Sequence, residues 1–389
     1  MALTLKALHG RIMDLDSHEM APMGRVAELF GERGVNVLKS SANFSNPAFY
    51  NQMLPISPDH ADTVGITEQS VWENKGGAAP GAYDFNRRPA VMDAQGIKRQ
   101  LVFPGMATVA MIQSQGGHVA KASEEDKMLG WAGIEAHNEW AGQITSKNPD
   151  RLRVVGILAC NKPGVTPEWM VTEAQRLVKM GMRALFIDSG LPPAGLSPAD
   201  PRFDPFYATL AEANVSLVTH PPSGLGFSRE EWLRADPQNV GGEDLWRASA
   251  NFIRIMTLGG VFERHPALRF GAIEVGAHWF GPLAEHLDWT RGGDRFYETE
   301  IGLPEPPKLS LRPSEYLARN VRVTPLNFEP VEVWLQRYPD IQDCYCFSTD
   351  YPHREGRAWS LKKFYENVSP LGDKIVEKFF YKNAELLLP

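Results

Sequence analysis

The sequence predicts an α/β fold, a (β/α)8 TIM barrel, and three observations carry that expectation. Short β-rich runs recur eight times along the chain, each followed by a stretch with helical spacing, and strand–helix alternation builds parallel sheets. Most of the runs are apolar throughout rather than alternating, as strands buried on both faces are. Histidines and carboxylates gather at the ends of several runs, where a barrel builds its sites.

The strand candidates are 11–16 (RIMDLD), 99–103 (RQLVF), 153–158 (RVVGIL), 183–187 (RALFI), 215–219 (VSLVT), 268–273 (LRFGAI), 321–323 (VRV) and 344–348 (CYCFS), of which the seventh has the weakest pattern. Between and after them, helices are expected over 123–147, 166–180, 204–213, 243–259, 279–290, 329–338, 358–366 and 372–387. Ser123 suits an N-cap, and Thr166-Pro167-Glu168 is a helix start with proline in the first turn. Two connections are longer than a βα turn needs. Residues 34–88, after the first strand, are rich in Asn, Ser, Pro and Gly, and 221–242, after the fifth, open Pro221-Pro-Ser-Gly-Leu-Gly-Phe227. Such insertions fall on the strand C-terminal face and are expected to form a lid or pocket wall. With no linker or repeat, residues 1–389 read as one domain.

Composition narrows the function. Forty Lys+Arg against 47 Asp+Glu leave a net charge of −7, which argues against a nucleic-acid binder. No apolar run has membrane-spanning length, and the N-terminal stretch lacks a long apolar segment with a cleavage site. Three cysteines, Cys160, Cys344 and Cys346, make no disulfide framework. A cytoplasmic protein is expected. There is no P-loop and no placed Gly-x-Gly-x-x-Gly, so neither a nucleoside triphosphate nor a dinucleotide is supported.

The chemistry lies at the strand ends. The first strand ends Asp14-Leu-Asp16-Ser-His18-Glu19, the fifth at His220, the sixth at Glu274 with His278 four residues on, and the eighth runs Ser348-Thr-Asp350-Tyr-Pro-His353. Alternation on a strand points Asp16 and His18 the same way. A barrel brings all four ends together, and mixed nitrogen and oxygen donors suit Zn²⁺, Mn²⁺ or Fe²⁺ better than Ca²⁺ or a thiolate metal. Cys344 and Cys346 share a strand face but read as small apolar residues. Arg87, Arg88, Lys98 and Arg99 form a modest basic cluster, read as a solvated face that could meet a carboxylate or a coenzyme A phosphate.

These motifs resemble the amidohydrolase superfamily, in its aminocarboxymuconate-semialdehyde-decarboxylase-like branch. The likeness runs through Met13–His18, Met92-Asp-Ala-Gln-Gly96, Pro149-Asp-Arg-Leu152, Thr219-His220-Pro221, Phe262–Leu268, Ser348–His353 and Lys382–Leu386. It implies a metal centre at the strand C-termini. The family's first His-x-His pair falls on Asp16 and His18, its fifth-strand histidine on His220 and its eighth-strand aspartate on Asp350. Decarboxylases of the branch carry His-x-Gly on the sixth strand, and here that histidine is replaced by Glu274.

Two readings of this departure stay open. In the first, the strand-6 glutamate resembles that of barrel-fold non-haem diiron monooxygenases. Asp16, His18, His220, Glu274 and Asp350 would then hold two irons, with His278 or His137 completing the set. The substrate would be an organic acyl compound, such as a coenzyme A thioester, or a ring, and a separate reductase would supply electrons. In the second, one Zn²⁺ or Mn²⁺ serves a hydrolase or non-oxidative decarboxylase of a carboxylic acid. Glu274, His278 and His353 are the candidate catalytic groups, Glu274, His278 or Asp350 would move protons in the second reading, and Glu19 is a further potential donor. His137 and Glu139 are two apart on one helix, so at most one can face the pocket. Trp- and Pro-rich surface segments are compatible with a homo-oligomer.

Overall fold

Seven short parallel strands and one irregular segment close a barrel around an apolar interior. The computed structural model describes residues 3–41, 62–115, 122–221, 246–290 and 307–389. The strands are β1 (Ile12–His18), β2 (Ile97–Phe103), β3 (Leu152–Val154), β4 (Gly156–Ile157), β5 (Ala184–Phe186), β6 (Ser216–Thr219), β7 (Arg269–Ala272) and β8 (Val321–Val323). They pair in the orders β1-β2-β3 and β4-β5-β6-β7-β8, parallel throughout. Val155 alone separates β3 from β4, and its N–H donates to Val102 O at 2.8 Å. These two are therefore one interrupted barrel strand.

The expected eighth strand, 344–348, is not a regular strand. A 3-10 turn over Pro339–Cys344 occupies the chain up to its start. What remains closes the barrel through single bridges, Val323 to Tyr345 and Ser17 to Tyr351, with Leu15 N–H donating to Phe347 O at 3.2 Å. Every β1 residue is buried, because helices cover the barrel outside and side chains fill it inside. Cys344 and Cys346 are fully buried, and burial pushes the Cys344 thiol up to about 12, so these are packing residues.

Most expected helices appear within a few residues. The longest is Glu124–Lys147, opened by a capping box in which Ser123 and Asp126 serve each other's backbone N–H. The structure adds Val26–Ser41, Arg88–Gln95, Met106–Ser114 and Pro313–Asn320. The last expected helix is broken into Asp373–Glu377, a π turn over Lys378–Lys382 and a 3-10 turn over Asn383–Leu386. It packs under the strand N-termini, where Arg153 Nη1 reaches Leu387 O at 2.9 Å and Arg322 Nε reaches Asn383 O at 2.7 Å.

Part of each insertion, 42–61 and 222–242, lies outside the described residues. The described part of the first packs on the strand C-termini. Gly76 N–H donates to Pro352 O at 2.7 Å, Met20 N–H to Ala82 O at 2.8 Å and the Tyr351 hydroxyl to Pro80 O at 2.5 Å. Among the described residues no helix is long and apolar enough to cross a membrane.

Candidate metal centre

The strand ends carry six donor residues into one cluster. Asp16 and His18 stand on β1, and Asp16 Oδ1 is 3.3 Å from His18 Nε2. His220 follows β6 and Glu274 follows β7. His220 Nε2 lies 2.7 Å from Glu274 Oε2 and 3.5 Å from Asp16 Oδ1. His18 Nε2 lies 3.4 Å from Glu274 Oε2 and 3.5 Å from Asp350 Oδ1. His353 Nδ1 is 2.9 Å from Asp350 Oδ1, and its ring stacks on His18 at 3.8 Å between centroids.

Local backbone sets these positions. Glu274 and Asp350 both adopt positive φ, 57° and 53°, a left-handed conformation that costs a residue with a Cβ about 1–3 kcal/mol. Neighbouring strands hold them there. Glu274 N–H donates to Thr324 Oγ1 at 3.0 Å, and Asp350 N–H to Asp16 O at 2.9 Å. Buried Asp14 braces the same region from below, accepting from Thr349 N–H at 2.8 Å, Thr349 Oγ1 at 2.6 Å and Gln100 Nε2 at 2.9 Å. Its place two residues before Asp16, on the same strand face, was a signal available in the sequence. Arg88, fully buried, donates to His18 O and lies 4.8 Å from the Phe85 ring centroid and 5.0 Å from that of Tyr351.

The donor atoms fit a cation. Asp16 Oδ1, His18 Nε2, His220 Nε2, Asp350 Oδ1 and His353 Nδ1 are buried and make no hydrogen bond. They approach one another closely yet lack hydrogen-bond angles, because they face a shared space rather than each other. His220 Nδ1 lies 2.6 Å from Pro221 O, so its Nδ1–H is committed to that carbonyl and Nε2 presents a lone pair to the cluster. Two groups of four converge, Asp16–His18–His220–Glu274 and His18–Glu274–Asp350–His353. His18 and Glu274 belong to both. One imidazole nitrogen has one lone pair, so the overlap describes the surroundings of one ion more simply than of two.

Electrostatics favour added positive charge in this cluster. Burial opposes a charge on His220, but Glu274 and Asp16 outweigh it and push its pKa up to about 10. Burial likewise opposes a charge on His353, and Asp350 overcomes it, also to about 10. Burial raises the Asp350 carboxyl well above its usual range, and the charge on Glu274 adds to this. Burial also opposes the charge of Glu274, yet His220 and His18 hold its pKa well below the ordinary value. Three carboxylates packed in low dielectric draw protons onto their histidines unless another cation balances them. Lys75, which the sequence reading passed over, lies on the same rim. Burial pushes its amine down to about 8 against the opposing pull of Asp350 and Glu355.

Three candidates from the sequence stand elsewhere. His137 is fully buried, with Nε2 2.9 Å from Val155 O and its ring against Phe30 and Trp140. It faces the barrel wall from outside and is not in the cluster. Glu139, two residues on, pairs with Arg33 on the outer side of the helix. His278 is half-exposed, and its Nδ1 lies 3.0 Å from Glu329 Oε1, which also accepts the His278 N–H at 3.0 Å. It joins neither donor group. The surplus of donors that suggested two irons thus loses both residues meant to complete a second site. Glu19 is buried too, but Oε1 caps the helix Met106–Ser114 by accepting from Gly105 N–H at 2.9 Å and Met106 N–H at 2.6 Å. The basic cluster also disperses: Arg87 pairs with Asp62, Arg88 is internal and Arg99 Nη1 reaches Leu388 O at 2.8 Å.

Comparison with known proteins follows this geometry. A family model described as amidohydrolase matches residues 69–389. That stretch contains His220, Glu274, Asp350 and His353, whereas Asp16 and His18 precede it. Among curated proteins none matches this chain significantly. Solved structures share the fold at low identity. An amidohydrolase of Mycobacterium avium subsp. paratuberculosis K-10 is 19% identical over 97% of this chain and 99% of that one, with a TM-score of 0.67. A 5-carboxyvanillate decarboxylase of Novosphingobium aromaticivorans, complexed with manganese and 4-hydroxy-3-methoxy-5-nitrobenzoic acid, is 19% identical over 97% and 96%, with a TM-score of 0.60. A 2,6-dihydroxybenzoate decarboxylase from Rhizobium is 18% identical over 97% and 98%, with a TM-score of 0.61. On the extent of the family match, with a barrel shared along nearly its whole length, the chain belongs to the amidohydrolase family.

Proposed function

We propose that the protein is a metal-dependent carboxy-lyase that removes CO₂ from a small aromatic acid without oxidation, using one divalent ion, Mn²⁺ or Zn²⁺. The observation that carries this reading is the set of buried, unbonded donor atoms on Asp16, His18, His220 and Asp350, with Glu274 among them. Such a mixed nitrogen and oxygen set is what these ions prefer. Support for the reaction class comes from neighbours of the same fold that act on aromatic acids, one of them holding manganese. This reading needs no reductase and no coenzyme A.

A bound divalent ion supplies Lewis acidity toward a substrate oxygen. The chain supplies the rest. Loss of CO₂ breaks a carbon–carbon bond, and the carbon left behind must take up one proton. In this reading His353, 2.9 Å from Asp350 and stacked on His18, keeps and delivers that proton. Lys75 offers a positive charge at the rim to an incoming carboxylate. Burial of the cluster excludes water that would weaken these interactions.

The test is anaerobic. Protein loaded with Mn²⁺ or with Zn²⁺ is incubated without reductant against a panel of hydroxybenzoates, and CO₂ release is followed. Stoichiometric CO₂ with one ion per chain is the expected result. Two irons per chain, with product formed only when O₂ is consumed, would overturn it.

A further inference from the structure

Side chains, rather than regular secondary structure, hold the turn that follows β7. Ile273 N–H still pairs with Thr219 O at 3.0 Å, and from there to His278 the chain bends sharply. Glu274 and Gly276 both adopt positive φ, 57° and 70°, a pattern that neither helix nor strand hydrogen bonding maintains. Backbone groups of the turn are met from outside it. Glu274 N–H donates to Thr324 Oγ1 at 3.0 Å. The Nε1–H of the buried Trp279 indole donates to Val275 O at 3.2 Å and Gly276 O at 2.9 Å. Ala277 N–H and His278 N–H both donate to the Glu329 carboxylate, each at 3.0 Å.

Glu329 is the centre of this arrangement. It is buried and stands on the connection after β8. Besides the two turn N–H groups it accepts from Leu326 N–H at 2.7 Å and lies 3.0 Å from His278 Nδ1. Backbone and imidazole donors thus converge on both of its oxygens, more than an amide oxygen can accept. The turn closes round the carboxylate at contact distance, since a Cβ on Gly276 would lie 3.2 and 3.4 Å from the two Glu329 oxygens. Glu329 belongs to neither donor group of the metal centre. Thr324 and Glu329, both on the β8 connection, therefore grip the turn at its two ends. From the first of those ends Glu274 Oε2 reaches His220 Nε2 at 2.7 Å and His18 Nε2 at 3.4 Å.

We propose that Glu329 is a positioning residue of the metal centre: it fixes the left-handed turn that aims the Glu274 carboxylate into the donor cluster. The inference rests on Glu274 being a ligand of the divalent ion proposed above. Glu329→Gln leaves one acceptor oxygen and sets an NH₂ group against backbone N–H groups that then have no acceptor. The turn relaxes, and Glu274 loses its aim although Glu274 itself is unchanged.

The test is a double-mutant cycle on the full-length protein, with free Mn²⁺ counted by electron paramagnetic resonance during titration. Glu329→Gln should weaken Mn²⁺ binding about tenfold, the lower end of what partners behind a metal ligand contribute. In the Glu274→Gln background the same substitution should change the affinity less than about twofold, because the carboxylate it positions is already gone. Equal factors in both backgrounds would overturn the proposal. So would a lower melting temperature of the stripped protein with unchanged Mn²⁺ affinity, which makes Glu329 a packing residue only. If Glu329→Gln does not melt cooperatively, His278→Ala takes its place, since it removes one donor from the same carboxylate at a half-exposed position. Severalfold weaker binding, seen only where Glu274 is intact, is then expected, and unchanged affinity would overturn the proposal. Glu274→Gln alone separates the two failures. If it binds Mn²⁺ as tightly as the wild type, the ligand reading falls and this inference with it. If it binds weakly while Glu329→Gln binds normally, only the positioning role falls.

Discussion

Glu274 Oε2 stands 2.7 Å from His220 Nε2, and the two residues reach that distance from the ends of the adjacent strands β6 and β7. Glu274 does so in a left-handed backbone conformation, so the fold spends conformational strain to aim this carboxylate. The arrangement is that of a ligand or its immediate anionic partner. Glu274→Gln keeps the shape and removes the charge. The variant should hold Mn²⁺ or Zn²⁺ at least tenfold more weakly, read by elemental analysis after dialysis and by competition with a chelator. Full metal content at unchanged affinity would remove Glu274 from the ligands and leave it a role in proton transfer. Glu274→His, which keeps a metal-binding side chain at this place, should keep the metal.

Legibility in the sequence followed from how far each residue's neighbours are along the chain. Asp16 and His18 could be read together because strand alternation alone aligns them. His220, Glu274 and Asp350 could be gathered because a barrel puts every strand end on one rim. His137 could not be placed this way. Helical spacing shows that His137 and Glu139 face different directions, but the Val155 carbonyl that claims His137 is a tertiary contact. Arg88 was hidden for the same reason. Beside Arg87 it reads as surface charge, yet aromatic rings and the His18 carbonyl enclose it. The eighth strand was over-read because CYCFS has strand composition, while the preceding 3-10 turn and the positive φ at Asp350 leave it only one bridge on each side.

Arg88 should act on the metal without touching it. Its guanidinium fixes the His18 carbonyl and lies near the ring of Tyr351, next in sequence to Asp350. Arg88→Met should weaken Mn²⁺ binding about tenfold, and Arg88→Lys, which keeps the charge but not the planar fork, should recover part of the loss. The melting temperature of the stripped protein separates this from general damage. A fall in stability with unchanged metal affinity would make Arg88 a packing residue only.

His137 predicts a pH effect on stability. Burial pushes its pKa down from 6.5 to about 4, against a hydrogen bond to Val155 O that favours the charged form. The unfolded chain therefore binds a proton on this residue between pH 6.5 and 4 while the folded chain does not. Its contribution is complete above pH 6.5, declines as the pH falls through that interval, and levels off below about 4. The full change is about 3 kcal/mol. Urea unfolding at pH 7 and pH 4.5 should show a smaller loss for His137→Gln than for the wild type. Equal losses in both would mean that His137 does not titrate as its burial requires.

Glu19 and Gly105 form the tightest steric relationship near the site. A Cβ on Gly105 would lie 1.9 Å from the Glu19 carbonyl oxygen, a distance no atom pair sustains. Glu19 cannot retreat easily, because its carboxylate caps the helix through Gly105 N–H and Met106 N–H, and His18 precedes it on β1. Gly105→Ala must therefore displace either the helix start or the end of β1. A loss of several kcal/mol is expected, larger than the roughly 0.5–2 kcal/mol of a lost cap. Glu19→Gln should cost less than Gly105→Ala, because a neutral acceptor still meets one N–H. Chemical denaturation of the two variants, with metal content measured beside it, checks the order. If Gly105→Ala were as stable as the wild type and bound metal normally, the close approach of this helix to the end of β1 would not be a constraint on the site.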